Sequence, residues 1–192
     1  MATRGNPTNI ALGPGQLYIA PLGSTVPTNL DDAWAVAWTS LGYTNDGSAQ
    51  AYAPAYDDVT VAEELEPVDS ITTGRTISVS FSLAEVTAKN LKAAMNGGTV
   101  VFTPAGTGPV TRAFTTFEPP DLGVELHTMI GFQAEDGLER IIWRDTKQVG
   151  NIELPRRRGA DKAVIPCEFR AFKPVSGKVF TRYSGRGSDG AA

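Results

Sequence analysis

Polar and apolar residues alternate without a break over residues 76–83 (Thr, Ile, Ser, Val, Ser, Phe, Ser, Leu). A period of two marks a strand with one buried and one wet face, which assigns Ile77, Val79, Phe81 and Leu83 to a core. The period then changes. Ser82 and Glu85 have the spacing of a capping box, in which a hydroxyl and a carboxylate satisfy free backbone donors in a helix's first turn. Leu83, Val86, Leu91, Ala94 and Met95 then fall mostly on one helical face, Lys89 and Lys92 lie toward the C-terminal end, and Gly97-Gly98 offer a left-handed stop. The pattern predicts a strand running straight into one amphipathic helix over 83–96.

Before this unit the signals are weaker. Residues 1–14 are rich in Gly, Pro and Asn without periodicity and read as an irregular arm. Residues 16–20 (QLYIA) predict a strand, and 34–41 (WAVAWTSL), with Trp34, Val36 and Trp38 at period two, predict a second. Residues 43–73 follow, carrying Tyr43, Tyr52, Tyr56, most of the early acids and a strand-like island at Val59, Thr60 and Val61. They are expected to form a long acidic loop. Loops beyond about 12–15 residues are uncommon in compact domains unless functional or disordered, so this one is the candidate for meeting another molecule.

After the helix, strands are predicted over 99–103, 110–117, 124–134, 138–145, 148–154, 162–172 and 178–183. Glu135-Asp136-Gly137 marks one hairpin turn and Pro155-Arg156-Arg157-Arg158-Gly159 a second, with a basic tip. Many short strands, one helix and no βαβ alternation predict a mainly β fold: an antiparallel β-sandwich or barrel with one flanking α-helix, built as a single domain over 15–183 and followed by a flexible tail over 184–192.

Charge adds an asymmetry that the net value of −4 conceals. No Lys or Arg lies between Gly5 and Gly74, where there are nine acids: Asp31, Asp32, Asp46, Asp57, Asp58, Glu63, Glu64, Glu66 and Asp69. Residues 147–186 carry ten bases against three acids. Polarity of this kind bears on association rather than on fold.

Candidate chemistry is sparse. The lone cysteine, Cys167, excludes a disulfide framework and reads as a half-buried small apolar residue. His127, the one histidine, falls in an alternating stretch and reads as a strand residue rather than a catalytic base. There is no GxSxG, no P-loop and no Cys/His cluster, and the GxGxxG formed by Gly185, Gly187 and Gly190 has no helix after it to hold a pyrophosphate. Asp57-Asp58 and Glu63-Glu64 lack calcium-loop spacing, and adjacent acids on an extended chain point to opposite faces. Arg156, Arg157 and Arg158 suit a solvated turn or ion pairing, and an acidic protein without a stacking platform is a poor nucleic-acid reader. No catalytic residue, cofactor or metal is expected. No signal-peptide run and no stretch of about 18 apolar residues occurs, so no membrane association is expected.

The WTSLGYTNDG segment, the acidic stretch, the unit VDSITTGRTISVSFSLAEVTAKNLKAAMNGG and the closing VIPCEFRAF, in that order, resemble the major tail protein, or tail tube protein, of long-tailed bacteriophages. Residues 71–95 carry the most specific part of the likeness. The resemblance implies a structural virion protein, not an enzyme, whose copies form hexameric rings with inner sheets joined into one barrel, stacked as the conduit for genome ejection. It implies self-association, tape-measure, tail-terminator and distal tail proteins as partners, and double-stranded DNA passing through the lumen without specific binding. It also implies a place in the virion tail after assembly in the host cytoplasm. A tail terminator, decoration protein, secretion tube or β-rich binding module is the alternative. Asp57, Asp58, Glu63, Glu64 and Glu66 are expected to meet Arg156, Arg157, Arg158 and Lys162 of another copy.

Overall fold

The alternating residues of the long strand set the architecture. Ile77, Val79, Phe81 and Leu83 are all buried, and their neighbours across the ladder include Phe169, Cys167 and Ile165. The Phe81 and Phe169 rings stack with centroids 5.7 Å apart. Burying such side chains contributes roughly 1.5–3 kcal/mol each. A computed structural model describes residues 10, 13–106, 111–155 and 162–187. Along these run β1 (Gly15–Pro21), β2 (Thr39–Ser40), β3 (Thr44–Val59), β4 (Asp69–Leu83), α1 (Ala88–Ala94), β5 (Thr99–Thr103), β6 (Phe114–Glu118), β7 (Thr128–Ala134), β8 (Glu139–Gln148), β9 (Ile165–Ala171) and β10 (Phe180–Ser184).

The main sheet is antiparallel in the order β2-β1-β7-β8-β9-β4-β3, with β10 also on β8; β5 and β6 pair separately. Strand β8 changes partner midway: Glu139 to Trp143 face β10, whereas Thr146 to Gln148 face β9. The two wings therefore fold over one core, shared by Leu17, Ile130 and Trp143 on one side and by Val79, Phe81, Ile165 and Phe169 on the other, with Ala93 and Ala94 of the helix at its flank. This is the expected mainly β sandwich with a flanking helix. A smaller cluster of Ala20, Trp38, Met129 and Ile142 packs apart from it. Among the described residues no helix is long and apolar enough to cross a membrane.

Several boundaries differ from expectation. The helix is shorter than 83–96, because Ser82 and Leu83 remain paired with Pro166 and Ile165 in the β4–β9 ladder. Its N-cap is Thr87, whose hydroxyl accepts the Asn90 N–H, while Glu85 instead accepts the Tyr43 backbone N–H at 3.0 Å. The left-handed stop starts one residue early, at Asn96 (φ 54°), with Gly97 N–H donating to Lys92 O at 2.9 Å in a Schellman closure. Over 34–41 only Thr39–Ser40 is strand. A turn from Ala35 to Trp38 leaves Val36 fully exposed and stacks Trp34 on Tyr18 instead. Residues 149–154 are not a strand, and His127 stands just before β7 rather than within it. Cys167 is fully rather than half buried, at 4% exposure.

Candidate assembly surface

The largest correction concerns 43–73, which is not a loop. β3 and β4 pair from Thr44↔Leu83 out to Val59↔Asp69, leaving only 60–68 as a turn. The pairing is hard to read in sequence because β3 buries nothing: its side chains are exposed along almost its whole length, so no apolar face alternates. β4 meets β9 only from Ile77 onward, so residues 69–76 have β3 as their sheet neighbour and form a two-stranded arm. At about 3.3 Å per residue the arm reaches roughly 25 Å beyond the body. A shift in register between Ala55 and Tyr56 interrupts it. Tyr52, Pro54 and Tyr56 alternate onto one face of β3, while Ala49, Ala51, Ala53 and Ala55 lie on the other, opposite Ser80, Ser78, Thr76 and Gly74.

The arm brings the expected acids together. Asp57 and Asp58 sit near the end of β3 opposite Ile71 and Ser70, Glu63, Glu64 and Glu66 occupy the turn, and all five are exposed. Val61, Val68 and Ile71 are exposed among them, and Leu65 is wholly so at 105%. Among the described residues no ion pair uses these acids; the pairs are His127–Asp145, Lys147–Glu125, Arg182–Glu139, and Arg186 with Asp136 and Glu139. Arg156, Arg157 and Arg158 lie outside the described residues. Lys162 is exposed shortly before β9. The basic region is therefore partly neutralised within the chain, since Lys147, Arg182 and Arg186 already have carboxylate partners. Arg140 is likewise committed, with Nε donating to Gln133 Oε1 and a terminal nitrogen to Asn29 O, each at 2.6 Å, and its guanidinium over the Trp34 ring.

Among the described residues β3 ends the sheet, and its outer edge presents a row of backbone donors and acceptors with no described strand beside it. Protein edges are commonly blunted by Lys, Pro or short length. β3 spans 16 residues, has no Lys or Arg, and carries Pro54 alone.

Elsewhere the groups have structural settings. His127 Nδ1 lies 2.6 Å from Asp145 Oδ1, with the ring tilted against Phe172. Burial pushes the Cys167 thiol up to about 12, which keeps it protonated and inert. Among the described residues no group of three or more His, Cys, Asp or Glu is placed to hold a metal.

No curated protein matches this chain. The family model described as phage tail tube protein matches residues 2–145, which include the acidic arm, the strand-to-helix unit and β5 to β7. That match spans well over half of the 192 residues, and with the sandwich and flanking helix it establishes that the chain belongs to the phage tail tube protein family.

Proposed function

We propose that this structural tail protein self-assembles into hexameric rings that stack into the tube through which the genome leaves the virion. The observation that carries this reading is the pairing of an open 16-residue edge with an exposed acidic arm on the same strand. Each is a surface that the described residues leave unfilled. A ring is a head-to-tail assembly in which every copy shows its neighbour a different face, and stacking repeats that logic along the axis. The free edge of β3 would continue the sheet of the next copy, and the acidic arm would cross to a basic surface of another. Charges at such rims govern rate and register more than final stability.

The outward face of the β3–β4–β9 sheet suits the bore. Ala49, Ala51, Ser78 and Ser80 leave it smooth, and Glu168 and Arg170, opposite Ser80 and Ser78, offset each other. Duplex DNA carries about one negative charge per 1.7 Å of axis, so a basic wall would hold every passing segment, whereas a near-neutral wall releases it. On this reading 15–183 is the ring-forming domain, 1–14 and 184–192 are appendages, the tape-measure, terminator and distal tail proteins meet the two ends of the tube, and assembly takes place in the host cytoplasm.

Electron microscopy of the purified protein tests the proposal. Rings and hollow tubes are the expected result; rings that never stack would point to a terminator, and isolated monomers at every concentration would refute self-assembly.

A further inference from the structure

At the base of the arm, where β4 leaves β9, lies a groove of about 430 Å³. Its floor is apolar, from Ile77, Phe172 and Val179, and its rim carries Arg75, Lys173 and Lys178. Among the described residues none of these three cations has a carboxylate partner. Arg144 adds to the same field: a Cβ built on Gly177, in the groove wall, would stand 3.4 Å from its side chain, and its Nε is buried with no hydrogen-bond partner among the described residues. The Asp145 carboxylate is bonded to His127, while the Asp145 carbonyl accepts the Phe172 N–H. The groove is thus apolar within and cationic around, with no acid among the described residues that line it.

We infer that this groove receives the 60–68 turn of a second copy, with Leu65 inserted over Phe172 and Val179 and Glu63, Glu64 and Glu66 set against Arg75, Lys173 and Lys178. This deepens the self-assembly reading and rests on it. Complementarity is the argument: the one fully exposed leucine of the turn is flanked by three carboxylates, and the groove offers an apolar floor ringed by three cations. Self-docking is ruled out by the arm itself. Residues 69–75 are held extended against β3, which keeps a chain's own turn roughly 20 Å from its own groove. Donor and receptor at opposite ends of one arm favour a head-to-tail repeat, since a copy displaced by the arm's length fills its neighbour's groove and leaves its own open to the next.

The test uses the full-length chain. Leu65→Cys combined with Lys178→Cys is expected to give a ladder of disulfide-linked oligomers on mild oxidation of assembled protein, with each single variant giving none. The buried Cys167 does not compete. Should the double variant fold poorly, carbodiimide treatment of the unaltered protein is expected to join Glu63, Glu64 or Glu66 to Lys173 or Lys178, read by peptide mass spectrometry. Charge reversal at Lys173 and Lys178 is expected to raise the concentration needed for assembly about tenfold, and adding Glu63→Lys and Glu64→Lys to recover it in part. Tubes that form normally without these cross-links overturn the groove assignment and leave self-assembly standing; a chain that never assembles overturns both. If the groove variants assemble normally but lose affinity for duplex DNA, the rim is a phosphate contact and the inference is wrong.

Discussion

The Asn96 carboxamide pairs with both polar groups of the Gln148 backbone, Nδ2 donating to the carbonyl and Oδ1 accepting the N–H, each at 2.7 Å. Asn96 also accepts the Leu126 N–H on its own carbonyl at 2.7 Å. One buried residue with a left-handed backbone thereby fixes the end of α1, the last residue of β8 and the approach to β7. Asn96→Ala should cost about 2–4 kcal/mol, from stranded buried groups and from a Cβ without compensating bonds at positive φ. Asn96→Gly should recover about 1 kcal/mol of that by removing the backbone strain alone. Urea unfolding of the two variants checks the order.

The acidic arm buries almost nothing in its own chain, so its charges should matter to association and hardly to folding. Converting Asp57, Asp58, Glu63 and Glu64 to Lys is expected to leave the melting temperature within a few degrees and to suppress polymerisation. Calorimetry and sedimentation on one sample separate the two effects. A variant that forms tubes normally would remove the arm from the assembly surface.

Among the described residues three carboxyls are held below their ordinary values. The Glu125 carboxyl is held below 4.5 by its own backbone N–H first and Lys147 second. Those of Asp136 and Asp32 are held below 3.8, by the Leu138 N–H and then Arg186 for the first, and by the Thr28 hydroxyl and backbone N–H for the second. A depressed carboxyl contributes stability that is complete above the unfolded value and is lost as pH falls through the folded one. Stability should therefore fall with acidification starting near pH 4.5 and continuing below 3.8. Because Asp136 binds Arg186, the segment after β10 should loosen in the same window, and Asp136→Asn should flatten that part of the profile, read by hydrogen exchange.

Cys167 lies deep in the core with its thiol pushed up to about 12. Native protein should resist thiol reagents at pH 8 and label promptly in denaturant; prompt labelling of the native form would mean that the β4–β9 ladder opens readily.

What could be read beforehand follows from burial. Ile77, Val79, Phe81 and Leu83 alternate because one face of β4 is core and the other wet, and the strand expected over 162–172 buries Ile165, Cys167 and Phe169 for the same reason. Beyond Thr76 the rule has no purchase: both faces of the arm meet solvent, Tyr52 and Asp57 are both exposed, and the hairpin passed for a loop. Trp34 and Trp38 misled in the opposite sense, since a turn brings large residues together at a spacing that mimics a strand. The Ser82–Glu85 capping signal lost to tertiary pairing, because keeping Leu83 buried beside Ile165 outweighs an early helix start. The acids of the candidate surface were legible as charge. The groove at Arg75, Lys173 and Lys178 was not, because residues about a hundred positions apart meet there only through the β4–β9 register.

Electron cryomicroscopy of the concentrated protein, alone and seeded with a tail-initiating complex, reads self-assembly through the edge and the arm. Hollow tubes of stacked hexameric rings are expected, in which the β3 edge continues into a neighbour's sheet and the acidic arm crosses to another copy. Protein that stays monomeric under both conditions, or tubes in which the edge and the arm touch no other subunit, would contradict it.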